Sequence, residues 1–178
     1  MNNLELVKKL SIENSKDGSV DIIKVALALG LKVYQVKQVD ENFNAKISLS
    51  DNNESFEILV NGNHSINRQR FSIAHEIAHF VLHKPKLEEK KELYRLCECE
   101  NDLDSNMEKE ADILAEELLI PNKILEEKFL ADLEKDKLVS ISKIREISNY
   151  FKVSIIVATI RLKNLKWKVP YISFAYIE

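Results

Sequence analysis

The stretch Arg70-Phe71-Ser72-Ile73-Ala74-His75-Glu76-Ile77-Ala78-His79-Phe80-Val81-Leu82-His83 carries three of the chain's four histidines, spaced four apart. Residues four apart on an α-helix stand one above the other on a single face. His75 and His79 can therefore aim two imidazoles at one point. Glu76 follows His75 about 100° round the helix, near enough to reach a water shared with that point but badly placed to ligate there. The helix is legible in its own pattern. Ile66, Ile73, Ile77 and Val81 recur at helical spacing as a core-facing stripe. Asn63 or Ser65 offers an N-cap, Pro85 is expected to stop the helix soon after Lys84, and no Gly or Pro intervenes.

His-Glu-x-x-His is the spacing of metallopeptidase chemistry, in which two His hold zinc and the Glu acts as general base on its water. The competing reading is an amphipathic helix with two half-buried histidines. A third ligand separates the two, because catalytic zinc takes three protein ligands and leaves a fourth position to water. Residues 106–121, Asn-Met-Glu-Lys-Glu-Ala-Asp-Ile-Leu-Ala-Glu-Glu-Leu-Leu-Ile-Pro, read as a helix capped by Asp104 or Ser105 and ended by Pro121. Glu108, Asp112 and Ala115 share one face of it; Glu110, Ile113 and Glu117 share another. A ligand carboxylate at Glu108 leaves Asp112 one turn further on, free to accept a hydrogen bond from a ligand His and so fix its tautomer. His83 is set aside as a ligand, since three His across these positions span about 12 Å of helix, too far for one tetrahedral ion. A packing or supporting role suits it better.

RQRFSIAHEIAHFVLH followed by E-x-x-A-D-x-x-A-E-E-L-L-I-P resembles the ImmA/IrrE family of bacterial and phage metallopeptidases, over roughly residues 20–165. Matched position by position, the resemblance implies zinc ligands at His75, His79 and Glu108, a general base at Glu76 and a supporting carboxylate at Asp112. The register up to Leu-Leu-Ile-Pro is what favours Glu108 over Glu110. The implied cofactor is Zn²⁺, with Mn²⁺ as the alternative. The implied activity is an endopeptidase whose protein substrate is a helix-turn-helix repressor of a mobile element, prophage or stress regulon. The alternative class is a non-catalytic zinc-binding regulator that acts on a repressor or on DNA by association.

The rest of the chain reads as an α+β fold. With 178 residues, 45% of them apolar and 31% charged, it suits one well-buried core. Residues 1–136 are expected as the catalytic core of a single domain, and 137–178 as a helix-turn-helix-like subdomain and tail. No apolar run is long enough to span a membrane, and the N-terminus lacks the basic and apolar regions of a signal peptide, so the expected compartment is the cytoplasm. Cys97 and Cys99 read as two reduced thiols, with donation of a thiolate to the metal as a minor alternative.

Residues 1–19 are polar, with a weak helical pattern and a turn at Asp17-Gly18-Ser19. A helix over 21–29 ends at Gly30. Leu31–Val36, Phe43–Leu49 and Ser55–Val60 read as three short strands, expected to form a small antiparallel sheet behind the zinc helix. Peptidases of this kind hold substrate as an added strand on a sheet edge. Arg68 and Arg70 are expected to pair with the acidic helix at 108–117. His64 reads as a loop histidine. Residues 84–105 read as a loop with a helical turn, and Tyr94 in it is one candidate oxyanion stabiliser. Lys123–Lys135 reads as a helix with Ile124, Leu125, Phe129, Leu130 and Leu133 inward. Residues 139–162 follow as helix, turn, helix, capped by Ser142 and Ser154, before a strand-like aromatic tail. Residues 137–178 carry 8 Lys/Arg against 2 Asp/Glu. That charge would suit phosphates, but Ile155-Ile156-Val157-Ala158-Thr159-Ile160 is too apolar to read bases. The pair is therefore expected to pack on the core, with no direct DNA binding.

Overall fold

The computed structural model describes residues 2–40, 42–50, 55–90, 92–94, 102–131, 133 and 137–171. Cys97 and Cys99, the turn at 51–53 and the end of the aromatic tail lie outside the described residues. Helix α1 (Asn3–Glu13) opens on a reciprocal cap: the Glu5 N–H donates to Asn2 Oδ1 at 2.8 Å, and the Asn2 N–H returns to Glu5 Oε2 at 3.3 Å. Strands β1 (Ser15–Lys16) and β2 (Ser19–Val20) form a hairpin where only a turn was expected. Asp17 and Gly18 between them have φ of 51° and 86°, the paired positive values that a two-residue hairpin loop demands. Helix α2 (Ile22–Ala28) starts under the Asp21 side chain, which accepts from the Lys24 N–H.

Strands β3 (Lys32–Val36), β4 (Ala45–Leu49) and β5 (Phe56–Asn61) fall where the alternation places them. Their pairing corrects the expectation of an antiparallel sheet. The order is β3-β5-β4, with a fourth strand, β6 (Glu92–Tyr94), on the far side of β4. β3 runs parallel to β5, Val33 opposite Ile58, while β4 is antiparallel to both β5 and β6. The sheet is therefore mixed and four-stranded, and β6 lies where a loop was expected. The reason is positional. β5 is the most apolar strand, and Phe56, Ile58 and Val60 are buried along it. It takes a central place between two strands that precede it in the chain, and β3 is left as an edge with most of its residues exposed.

Helix α3 (Ile66–Lys90) starts from Ser65, whose Oγ accepts from the Arg68 N–H at 3.4 Å; Asn63 instead donates to the Lys37 carbonyl. Pro85 does not end it. The backbone leaves helical geometry at His83 (φ −123°, ψ 18°) and resumes beyond. Proline has no N–H to give to the preceding turn but is well suited to the first turn of a new segment, so the helix kinks there. Ile73 and Ile77 are buried as expected, whereas Ile66 is exposed. Phe80 meets Phe56 edge-on with ring centres 5.3 Å apart, which ties α3 to β5.

Helix α4 (Asp102–Leu119) begins slightly before the expected caps and stops just before Pro121, as expected. It packs along α3, and both helices carry fully buried alanines, Ala74 and Ala78 on one and Ala111 and Ala115 on the other. Small side chains let two helix axes approach closely. After α5 (Asn122–Leu125) a π-helical turn, Glu126–Leu130, buries Phe129 and Leu130. Helices α6 (Ile141–Phe151) and α7 (Ile155–Asn164) form the expected tight pair, with Lys152 in left-handed conformation between them. Ser140, not Ser142, caps α6, and Ser154 caps α7. α7 does pack inward, burying Ala158 and Leu162. No helix among the described residues is long and apolar enough to cross a membrane.

Candidate metal centre

The α3–α4 interface brings His75, His79 and Glu108 together. His79 Nε2 lies 2.9 Å from His75 Nε2, and each of these nitrogens lies 3.1 Å from a different oxygen of the Glu108 carboxylate. These three form the one such His/Cys/Asp/Glu group found among the described residues. Tetrahedral zinc, with bonds of about 2.0–2.1 Å, holds its ligand atoms about 3.3 Å apart. The three donors therefore converge on a volume of the right size for a single ion. Both imidazoles are almost wholly buried, and Glu76, beside His75, is 1% exposed.

The electrostatics lean the same way. Burial pushes the Glu108 carboxyl up, but hydrogen bonds from His75 and His79, with their charges, outweigh it and hold the group well below the usual carboxylate range. Burial lowers His79 from its ordinary value, and the neighbouring His75 and His83 add to that, against the pull of Glu108. A cation bound here would take the ionised carboxylate and both imidazoles neutral, displacing any proton that the histidines carry.

Asp112 stands behind His75, its Oδ1 2.8 Å from Nδ1. This is the contact that spacing on α4 suggested. With Nδ1–H donated to Asp112, the Nε2 lone pair of His75 would face Glu108 and be open to a metal. Asp112→Ala should weaken zinc binding by about 10- to 100-fold, and Asp112→Asn, which keeps an acceptor, by much less. Titration against a competing chelator checks this, and equal affinity for all three proteins would remove Asp112 from the centre.

Other candidates fall elsewhere. Glu110 turns to His83, with Oε2 3.0 Å from Nε2, and takes no place beside Glu108. Among the described residues, Arg68 and Arg70 make no pair with 108–117 of α4. Arg68 donates to Asn44 Oδ1, at 2.7 Å from Nη2, and Arg70 to the backbone carbonyls of Val20, Phe151 and Lys152. Carbonyls left open at the ends of β2 and α6 outcompete the acidic helix, because the fold places them beside the Arg70 fork. His64 stays in its loop, 3.4 Å from Asn61 Nδ2.

Sequence reasoning missed a polar cluster between α4 and α7. Glu116 and Arg161 are each 3% exposed. Asn164 Nδ2 donates to Glu116 at 2.8 Å, and Arg161 Nη2 donates to Asn122 at 2.7 Å. Burial is the largest influence on Glu116 and pushes its carboxyl up to about 7, against Asn164 and the Arg161 charge. A lone Arg in an apolar helix was the available signal.

Comparisons with known proteins give the chain a family and a fold likeness. The chain is 26% identical over 98 residues to Metallopeptidase ImmA of Bacillus subtilis (strain 168), covering 54% of this chain and 55% of that protein. The solved structure of a Mycobacterium tuberculosis transcriptional regulator shares the fold, with a TM-score of 0.58 at 13% identity, covering 90% of this chain and 46% of that one. The chain thus spans about half the length of each. The model of the Peptidase_M78 family, described as IrrE N-terminal-like domain, matches residues 34–163. By that match the chain belongs to the ImmA/IrrE family of metallopeptidase-like domains.

Proposed function

We propose that this chain is a zinc-dependent endopeptidase that cleaves a helix-turn-helix repressor and so relieves repression. The observation that carries the reading is the convergence of His75 Nε2, His79 Nε2 and the Glu108 carboxylate, with Glu76, next to His75 in the chain, also buried. His75, His79 and Glu108 are the ligands in this reading, and Asp112 holds His75. Bound there, zinc supplies Lewis acidity to a water and to a peptide carbonyl. Glu76 takes the proton from the attacking water and passes it to the leaving amide nitrogen, so one carboxylate serves as base and then as acid. The donor set of two imidazoles and a carboxylate is that of zinc peptidases, and Mn²⁺ also accepts it. A repressor is the proposed substrate because the family resemblance points to one and the structural neighbour is a transcriptional regulator.

The experiment is a proteome-wide survey of new protein N-termini in cells producing wild type or Glu76→Gln. A new terminus within a repressor, present only with the wild type, is the expected result. Relief of repression by both proteins, with no new terminus in either, would instead favour a regulator acting by association.

A further inference from the structure

The metal face of α3 does not stop at the three converging donors. His79 Nδ1, the ring nitrogen turned away from Glu108, lies 3.2 Å from His83 Nδ1. His83 Nε2 in turn lies 3.0 Å from Glu110 Oε2. His83 is 8% exposed, and the Glu110 side chain reaches into solvent. His83 is also the residue at which α3 leaves helical geometry, so the kink before Pro85 and the placing of this ring are one feature.

Proton placement along this row has a single consistent solution once His79 ligates through Nε2. A metal-bound neutral imidazole carries its proton on the other nitrogen, so His79 Nδ1–H is a donor. His83 Nδ1 must then accept, which puts the His83 proton on Nε2. That N–H donates to the Glu110 carboxylate, which can only accept. Each link satisfies the next, and the row ends in a charge at the protein surface.

Building on the proposed metal centre, we infer that His83 and Glu110 form a positioning relay that fixes the tautomer and orientation of His79 as Asp112 does for His75. The centre thus has two supports of different construction. His75 is held directly by a carboxylate, and His79 by a carboxylate acting through a second imidazole. His83 is a positioning residue and touches neither the ion nor the substrate. Glu110, though it stands beside the ligand helix face, acts through His83.

The test is zinc affinity by competition with a chromogenic chelator, together with the visible absorption of the Co²⁺-loaded protein, for wild type, His83→Leu, His83→Gln, Glu110→Ala and the double variant His83→Leu/Glu110→Ala. Leu keeps the packing volume and loses the relay, so zinc binding should weaken by about 10- to 100-fold and the Co²⁺ bands should shift. Gln presents an acceptor oxygen toward His79 and a donor toward Glu110, and should stay within about threefold of wild type. Glu110→Ala should weaken binding by a smaller factor, and the double variant should be no weaker than His83→Leu, because the two act in series. A Leu variant that binds as wild type does, a Gln variant as weak as Leu, or multiplicative losses in the double variant would overturn the relay. If His83→Leu does not fold, Glu110→Ala decides, and an unchanged affinity there overturns it. A wild type that takes up no zinc refutes the metal centre itself, whereas zinc-loaded wild type with unaffected variants refutes the relay alone.

Discussion

Replacing Glu76 by Gln should lower peptide hydrolysis by about 10²- to 10⁴-fold, the usual contribution of a positioned general base, while zinc and fold are retained. The substitution is nearly isosteric at a site that is 1% exposed, so it removes the ionisable oxygen without opening a cavity. It spares the three converging donors His75, His79 and Glu108. Metal content should therefore match wild type, and the loss should fall on turnover more than on substrate affinity. The check is single-turnover cleavage of a peptide spanning the mapped junction, with zinc measured on the same samples. Undiminished turnover in a zinc-loaded Gln variant would take Glu76 out of the reaction.

The second large effect concerns stability. Burial raises the Glu116 carboxyl from 4.5 to about 7, and Asn164 Nδ2 donates to it at 2.8 Å. A group whose folded pKa is raised binds more protons in the folded state than in the unfolded chain. Its contribution is fully present below about 4.5 and is lost as pH rises through about 7. The shift corresponds to about 3 kcal/mol. Glu116→Gln keeps an acceptor for Asn164 and cannot ionise. The variant should match wild type near pH 4.5 and become more stable by about 3 kcal/mol near pH 8. Urea unfolding of the metal-free proteins at both pH values reads this difference, and a gap that does not change with pH would contradict it.

The metal face was legible because every signal in it is local. Helical spacing puts His75 over His79, and Glu108 and Asp112 one turn apart on a second helix, and the structure brings these four side chains together. Strand positions were legible for the same reason. Strand order was not: alternation in Lys32–Val36 and Phe56–Asn61 says that each is a strand, and nothing in it says that they run parallel with β4 beyond. Pro85 read as a stop because it lacks an N–H, yet a distortion confined to His83 lets α3 continue. Charge counting sent Arg70 to the acidic helix, whereas open backbone carbonyls, which composition cannot show, hold it. The partners of Glu110 and Arg161 were not legible for a similar reason, since they come from other elements.

The central claim is that His75, His79 and Glu108 hold one metal ion. The direct measurement is metal content by mass spectrometry on purified wild type, Glu108→Ala and Glu110→Ala, each incubated with excess zinc and desalted. The account predicts about one zinc per chain in wild type and in Glu110→Ala, and its loss in Glu108→Ala. A wild type without zinc, or a loss that follows Glu110 in place of Glu108, would contradict it.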